Sequence, residues 1–331
     1  MAMRRLFVAL VLLAPSFADV DAQTSSTPTT ELRIATVAPD GSPWMQVFRA
    51  WDRELRQRTE GRVGLRLYPG GSQGQESDYL DKMSTGQLDG AALTSTGLSQ
   101  VVRPVLVLGL PGIFDDYETL DRVRRRMSPR FERELDRAGL TLLGWGDVGK
   151  GRLFSTHRIE RPADLRRARP WAPREDAIFS EFLSVVGAQP RRLGIPEVYP
   201  ALQTGMVDTV PASALAAVAL QWHTRLRFYS RDSAGILIGA TVIRKERLEA
   251  LRPEDRAIVL ETSRRGHQLV ARAIRREDER ALGVIAQRMT AVDTTAHETE
   301  WRLAALQTRD RLIGRVFPQA LFDAVVRAAL E

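Results

Sequence analysis

Two segments 119 positions apart carry nearly the same pattern, and this echo restricts the fold more than any other feature of the chain. The first runs from Tyr79 to Ala92 (YLDKMSTGQLDGAA), the second from Val198 to Val210 (VYPALQTGMVDTV). Each reads as a short amphipathic helix stopped by a glycine (Gly86, Gly205), then one apolar residue, an aspartate (Asp89, Asp208) and a buried strand. Glycine ends a helix because it enters the left-handed conformation without steric cost. The small and β-branched run after each aspartate has the composition of a strand. One such unit is an ordinary connection; two at equivalent places imply two similar α/β lobes. Two lobes imply a cleft, where small molecules bind.

The chain has 331 residues, room for two domains with their own cores. Its start, Arg4-Arg5 followed by the apolar run Leu6–Ala14 and by Val20-Asp21-Ala22, reads as a secretory signal over residues 1–22. The run is too short to span a membrane as a helix, and no cysteine follows for a lipid anchor. Residues 23–30 (QTSSTPTT) read as a disordered lead-in. Zero cysteines exclude disulfide scaffolds and thiolate metal sites. Net charge is +7, but the arginines are interspersed with acids, as in Arg275-Arg276-Glu277-Asp278-Glu279-Arg280. That is the pattern of solvated helix faces rather than a nucleic-acid-binding stripe.

The expected order begins with a strand at Leu32–Val37, a helix capped by Ser42-Pro43 running to about Thr59, and a strand at Val63–Tyr68. A loop at Pro69–Gly74, the first echo unit with its strand at Ala91–Thr94, and a polar loop at Ser95-Thr96-Gly97 follow. Alternating strands and helices are the grammar of a parallel sheet. A helix at Thr119–Ala138 and a strand at Leu140–Trp145 precede the second lobe. That lobe begins near Arg152, with strands at Leu153-Phe154-Ser155 and around Trp171, a helix at Asp176–Val186, a strand at Arg191–Leu193 and the second echo unit. The apolar run Ile236–Ile243 returns to the first lobe as a strand. From Pro253 a helix of roughly 50 Å, at about 1.5 Å per residue, turns Ile258, Val259, Leu269, Val270, Ile274, Leu282, Ile285 and Met289 inward to brace both lobes, and two helices close the chain. Lobe 1 is therefore expected over 31–151 plus about 236–270, and lobe 2 over 152–235 plus about 271–331, each with a mixed sheet flanked by helices.

With these segments placed, the chain resembles a known family. The Tyr68-Pro69-Gly70-Gly71-Ser72-Gln73-Gly74 loop, the Leu202-Gln203-Thr204-Gly205-Met206-Val207-Asp208 unit, the Pro162-Ala163-Asp164-Leu165 approach to the Trp171 strand and the long helix are similar to periplasmic solute-binding subunits of TRAP transporters, the DctP family. The resemblance covers Leu32 to Leu330. It implies a two-lobed periplasmic binding protein fold of type II-like character that closes on a ligand and delivers it to small and large integral membrane subunits. It implies neither catalysis nor a cofactor.

Typical members carry a carboxylate-clamping arginine on the strand that here holds Trp171, and Gln and Asn where this chain has Val210 and Ala212, with Pro211 between. A second family arginine is matched by Arg152. An enclosed carboxylate without a partner costs several kcal/mol, whereas burying about 300 Å² of apolar ligand contributes roughly 7 kcal/mol before ordering costs. The expected ligand is apolar or amphipathic, held by Trp44, Trp145, Trp171, Val210, Pro211 and Ala212 and oriented by Gln75, Thr94, Ser95, Asp147 and Arg152. Family subgroups without the arginine look similar at Gly144–Gly149 and Gln221-Trp222, which implies a helical-repeat periplasmic accessory protein. Other readings of these residues stay open: Trp171 and Trp44 as core, Arg169 or Arg174 as the clamp, Arg152 as a surface strand residue, and Thr94-Ser95-Thr96 as a strand end. An organic acid held by Arg152 or a neighbouring arginine is the alternative ligand. The four histidines lack H-x-x-x-H or H-E-x-x-H spacing, no G-x-S-x-G occurs, and the Gly70–Gly74 loop lacks the lysine of a phosphate cradle.

Overall fold

In the computed structural model, which describes residues 28–114 and 116–331, the β-strands are β1 (Thr30–Thr36), β2 (Val63–Tyr68), β3 (Gly90–Thr94), β4 (Leu140–Ser155), β5 (Trp171–Ala172), β6 (Arg191–Arg192), β7 (Thr209–Ala212), β8 (Phe228–Ser230), β9 (Gly235–Arg244) and β10 (Thr290–Val292). The helices are α1 (Pro43–Arg58), α2 (Glu76–Ser84), α3 (Ser95–Ser99), α4 (Tyr117–Arg137), α5 (Ile178–Val186), α6 (Val198–Thr204), α7 (Ala214–Ala219), α8 (Lys245–Glu249), α9 (Pro253–Ala286), α10 (Glu298–Leu312) and α11 (Gln319–Leu330). The expected signal and residues 23–27 of the lead-in lie outside the described residues. Residues 28–30 are ordered: Pro28 is buried, and Thr30 opens β1 with its N–H on the Arg62 carbonyl at 2.8 Å.

β1, β2 and β3 pair in parallel, as alternating strands and helices require, and β9 closes against β3 antiparallel. The principal sheet runs β10-β8-β4-β9-β3-β1-β2, with β7 also on β4. Two mixed sheets were expected, with strands ending at Trp145 and restarting at Leu153; the two are joined. β4 is one 16-residue strand. It pairs with β9 from Leu140 to Gly151, and then with β7 and β8 over its last residues. The glycine-rich stretch between the two expected strands accommodates two register shifts, between Leu142 and Gly144 and between Asp147 and Gly149. Such bulges bend a strand without ending it. The two halves thus share a backbone ladder, and β5–β6 forms a small separate pair.

The echo is explained by its aspartates. Gly86 and Gly205 both take positive φ, 75° and 73°. Asp89, fully buried, accepts the backbone N–H of Arg33 at 2.8 Å and its Nε at 3.0 Å. Asp208, 3% exposed, accepts the backbone N–H of Arg169 at 2.7 Å, while Arg169 Nε lies 3.2 Å from its other oxygen. Each aspartate therefore ties its unit to the neighbouring segment through one arginine's main chain and side chain. These are fold-holding contacts, with charge-assisted hydrogen bonds satisfying a buried carboxylate.

One apolar cluster, with Leu106, Phe131, Val242, Phe317 and Val325, lies between the sheet, α4 and α11. Another joins Phe48, Trp51, Leu143 and Val259. A third gathers Phe154, Trp171, Trp222, Val270 and Ile285, and a smaller one lies between α5 and α10. Helix α9 spans 34 residues and reaches the second and third of these. Its buried stripe is Val259, Ser263, His267, Val270, Ile274, Asp278, Ala281 and Ile285. Leu269, expected inward, is 50% exposed because it lies about 100° round the helix from Val270. Ser95-Thr96-Gly97, expected as a loop, opens the short helix Ser95–Ser99, with the Thr94 hydroxyl accepting the Gly97 N–H.

Candidate functional site

A cavity of about 270 Å³ opens where the β1–α1 connection, α3, the middle of β4 and β9, the segment after β5, α7 and α9 converge. Both halves of the chain contribute to its walls. Of the expected site residues, Trp44, Thr94, Ser95, Asp147, Trp171, Pro211 and Ala212 line it. The indole of Trp44 donates to the Asp147 carbonyl at 3.1 Å, and that of Trp171 to the Leu193 carbonyl at 2.9 Å. With their N–H groups satisfied, both offer apolar ring surface. Trp171 is 4% exposed and meets Trp222 edge to face at 5.2 Å, so it belongs to the core and to the lining at once.

Four expected residues lie elsewhere. Val210 is fully buried in the cluster with Phe154. Gln75 sits at the start of α2, with its side-chain oxygen against Gly194. Trp145 faces a different groove beside α4, donating to Ser128 Oγ at 2.6 Å and meeting Phe131 edge to face. Arg152 is buried outside the lining, its Nη1 donating to the carbonyls of Ser230, at 3.2 Å, and Arg231. Burial lowers the Arg152 pKa. The other candidate clamps are engaged as well, Arg169 with Asp208 and Arg174 with Glu197 at 2.7 Å. Among the described residues, no arginine or lysine lines the cavity.

The titratable groups that do line it are Asp147, Asp176 and His267. Asp147 is saturated: its carboxylate accepts from Arg124 Nη1 and from Arg275 Nε, both at 2.7 Å. Arg275 in turn forks onto Asp121. This chain pins β4 to α4 and α9. His267 is also satisfied. Its Nδ1 lies 2.7 Å from the Ser263 carbonyl and so carries the proton, leaving Nε2 to accept from Thr241 Oγ1 at 2.7 Å. Burial holds its pKa down at about 4, so the ring is neutral. Asp176 precedes α5; one of its oxygens accepts the Ser180 N–H at 2.7 Å. Burial raises its pKa.

Several lining residues were not among the sequence candidates: Phe48, Asp176, Phe179, Trp222, Thr241 and His267. Trp222 was visible only as part of the Gln221-Trp222 pair, and Asp176 only as a helix start. No local spacing distinguishes a cavity-facing cap from any other.

A two-lobed α/β fold with a cavity between its halves defines a small-molecule receptor of the periplasmic binding protein class. The family model described as "Bacterial extracellular solute-binding protein, family 7" (DctP) matches residues 34–312, and the chain belongs to that family, the periplasmic receptors of TRAP transporters. A solute-binding protein of Chromohalobacter salexigens is 24% identical over 229 residues, 69% of this chain and 68% of that protein. The extracytoplasmic solute receptor of Bordetella pertussis solved with pyroglutamic acid superposes with a TM-score of 0.84 at 17% identity, covering 91% of this chain and all of that one. A TRAP periplasmic solute-binding protein of Shewanella oneidensis with bound succinate gives 0.85 at 16%, covering 91% and 99%. Among the described residues no helix is long and apolar enough to cross a membrane.

Proposed function

We propose that this protein is exported to the periplasm by a leader cleaved after Ala22, captures a small, largely apolar or amphipathic solute in the cavity, and hands it to TRAP membrane subunits. The observation that carries the ligand class is the lining: Trp44, Phe48, Trp171, Phe179 and Trp222 contribute aromatic surface and, among the described residues, no cation does. A dianion enclosed there would keep its desolvation cost without a compensating charge. In this reading lobe 1 comprises 31–151 with about 236–270, and lobe 2 the remainder, β4 and α9 being the elements they share. Trp44, Thr94, Ser95, Trp171, Pro211 and Ala212 are the ligand contacts. Binding and delivery need no catalysis.

A second reading, an organic acid, is favoured by the bound molecules of the structural neighbours, pyroglutamic acid and succinate. For it to hold, Arg152, Arg169 or Arg174 must leave its present partners and turn inward. Calorimetric titration of the ligand-free protein against apolar alcohols and amines, succinate and pyroglutamate separates the two. Micromolar binding of succinate or pyroglutamate, with none of an apolar solute, refutes the first reading in favour of the second.

A further inference from the structure

Resting on the reading of this cavity as the solute site, we infer that its polar anchor is Asp176 and that the solute it selects is an apolar molecule carrying a cationic amine.

The inference follows from what each lining group has left to offer. Asp147 has both oxygens on arginines, and His267 has both ring nitrogens engaged. The hydroxyl of Thr94 donates to Glu76 Oε2 at 2.7 Å, that of Ser213 to the Val148 carbonyl at 2.7 Å, and that of Thr241 to His267. The hydroxyls of Thr36, which accepts the Ala38 N–H, and of Ser95 and Thr96 would alone be a thin donor set for a carboxylate. Asp176 differs: it accepts from the N–H groups of Ser180 and Phe179 at the start of α5, with the Ser180 hydroxyl also close by, and among the described residues no arginine or lysine lies within ion-pair distance of it, Arg192 acting on it only from further away. A desolvated carboxylate with no counter-charge in contact is a costly arrangement, and an ammonium group entering the cavity would relieve it.

Two further features favour a cation. Phe179, three residues beyond Asp176, and the rings of Trp44, Trp171 and Trp222 supply faces that attract an ammonium through their quadrupoles. Glu175 lies near enough to Glu76, beneath Thr94, to raise that buried carboxyl's pKa further, after burial itself. Glu175 thus adds negative charge to this end of the cavity, which disfavours an anion, while Arg192 acts on Asp176 in the opposite sense without entering the lining.

The test uses three ligands with one apolar body: benzylamine, benzyl alcohol and benzoate, titrated into the purified mature protein by calorimetry. Benzylamine is expected to bind at least tenfold more tightly than benzoate. Asp176→Asn keeps an oxygen for the Ser180 N–H, so α5 stays capped; an unchanged melting temperature verifies the fold. In that variant benzylamine should weaken at least tenfold while benzyl alcohol stays within about twofold. Benzoate binding as tightly as benzylamine, or an amine-to-acid ratio unmoved by Asp176→Asn, overturns the inference while leaving the apolar cavity intact. Failure of all three ligands up to millimolar concentration, with succinate or pyroglutamate binding, overturns the site reading itself.

Discussion

His267 provides a prediction whose size follows directly from its surroundings. The ring is 5% exposed, wedged between α9, β4 and β9, and meets Phe48 and Trp51 at 6.2 and 6.0 Å. Its pKa is held at about 4 against an ordinary 6.5 because burial penalises the imidazolium, and both nitrogens are already committed as a neutral donor and acceptor. Between those two values the unfolded chain binds a proton that the folded chain refuses. Stability should therefore be level above about pH 7 and fall as pH drops from 6.5 to 4. At about 1.4 kcal/mol per tenfold change in proton affinity, the loss approaches ~3 kcal/mol by pH 4. The buried carboxyls Glu76, Asp176 and Asp278 act in the opposite sense. Burial raises their pKa values, so the stability they contribute is fullest under acid conditions and is lost as pH rises. Comparison with His267→Gln, which keeps a donor and an acceptor but cannot titrate, removes those shared contributions. Urea unfolding at half-unit intervals from pH 8 to pH 4 should show the difference in stability between the two proteins closing by ~3 kcal/mol toward acid. A difference that stays constant across that range refutes the assignment of a neutral, proton-refusing ring.

Three other outcomes are expected. Asp89→Ala should lower stability by about 3–5 kcal/mol, because it strands the backbone N–H and guanidinium of Arg33 together with Arg247; Asp208→Ala should cost less, since Arg169 is half exposed and can turn to water, and denaturant midpoints measure both. Gly144→Ala would place a methyl 2.4 Å from the His267 ring, so a loss of about 1–3 kcal/mol in thermal unfolding is expected. Trp171→Ala should weaken benzyl alcohol at least tenfold, whereas Arg152→Gln, altering a residue outside the lining, should leave it within about twofold by calorimetry.

Much of the framework was legible because it is written in local chemistry. Ser42-Pro43 caps α1 as its residue types require, Val63–Tyr68 alternates and is β2, and the glycines that stop α2 and α6 take the conformation that glycine favours. β4 was read as two strands because nothing local joins them until β9 supplies partners from Leu140 to Gly151. The buried stripe of α9 was half read for a related reason. Apolar periodicity finds Val259, Val270 and Ile285, but His267 and Asp278 are buried on the same face by hydrogen bonds to other elements and Ser263 by hydrogen bonds within α9, and hydropathy alone ignores them.

The sequence by itself determined two α/β halves, their echo units and the long helix, since each is encoded in spacing or in residue type. Which way side chains face was decided only in the tertiary structure. Arg152 turns to backbone carbonyls, Trp145 to another groove, Val210 into the core, while Asp176 and Trp222 come to the cavity. A strand or cap residue has the same local chemistry whether it faces a ligand or a neighbour. Only the packing of distant segments removes its alternatives.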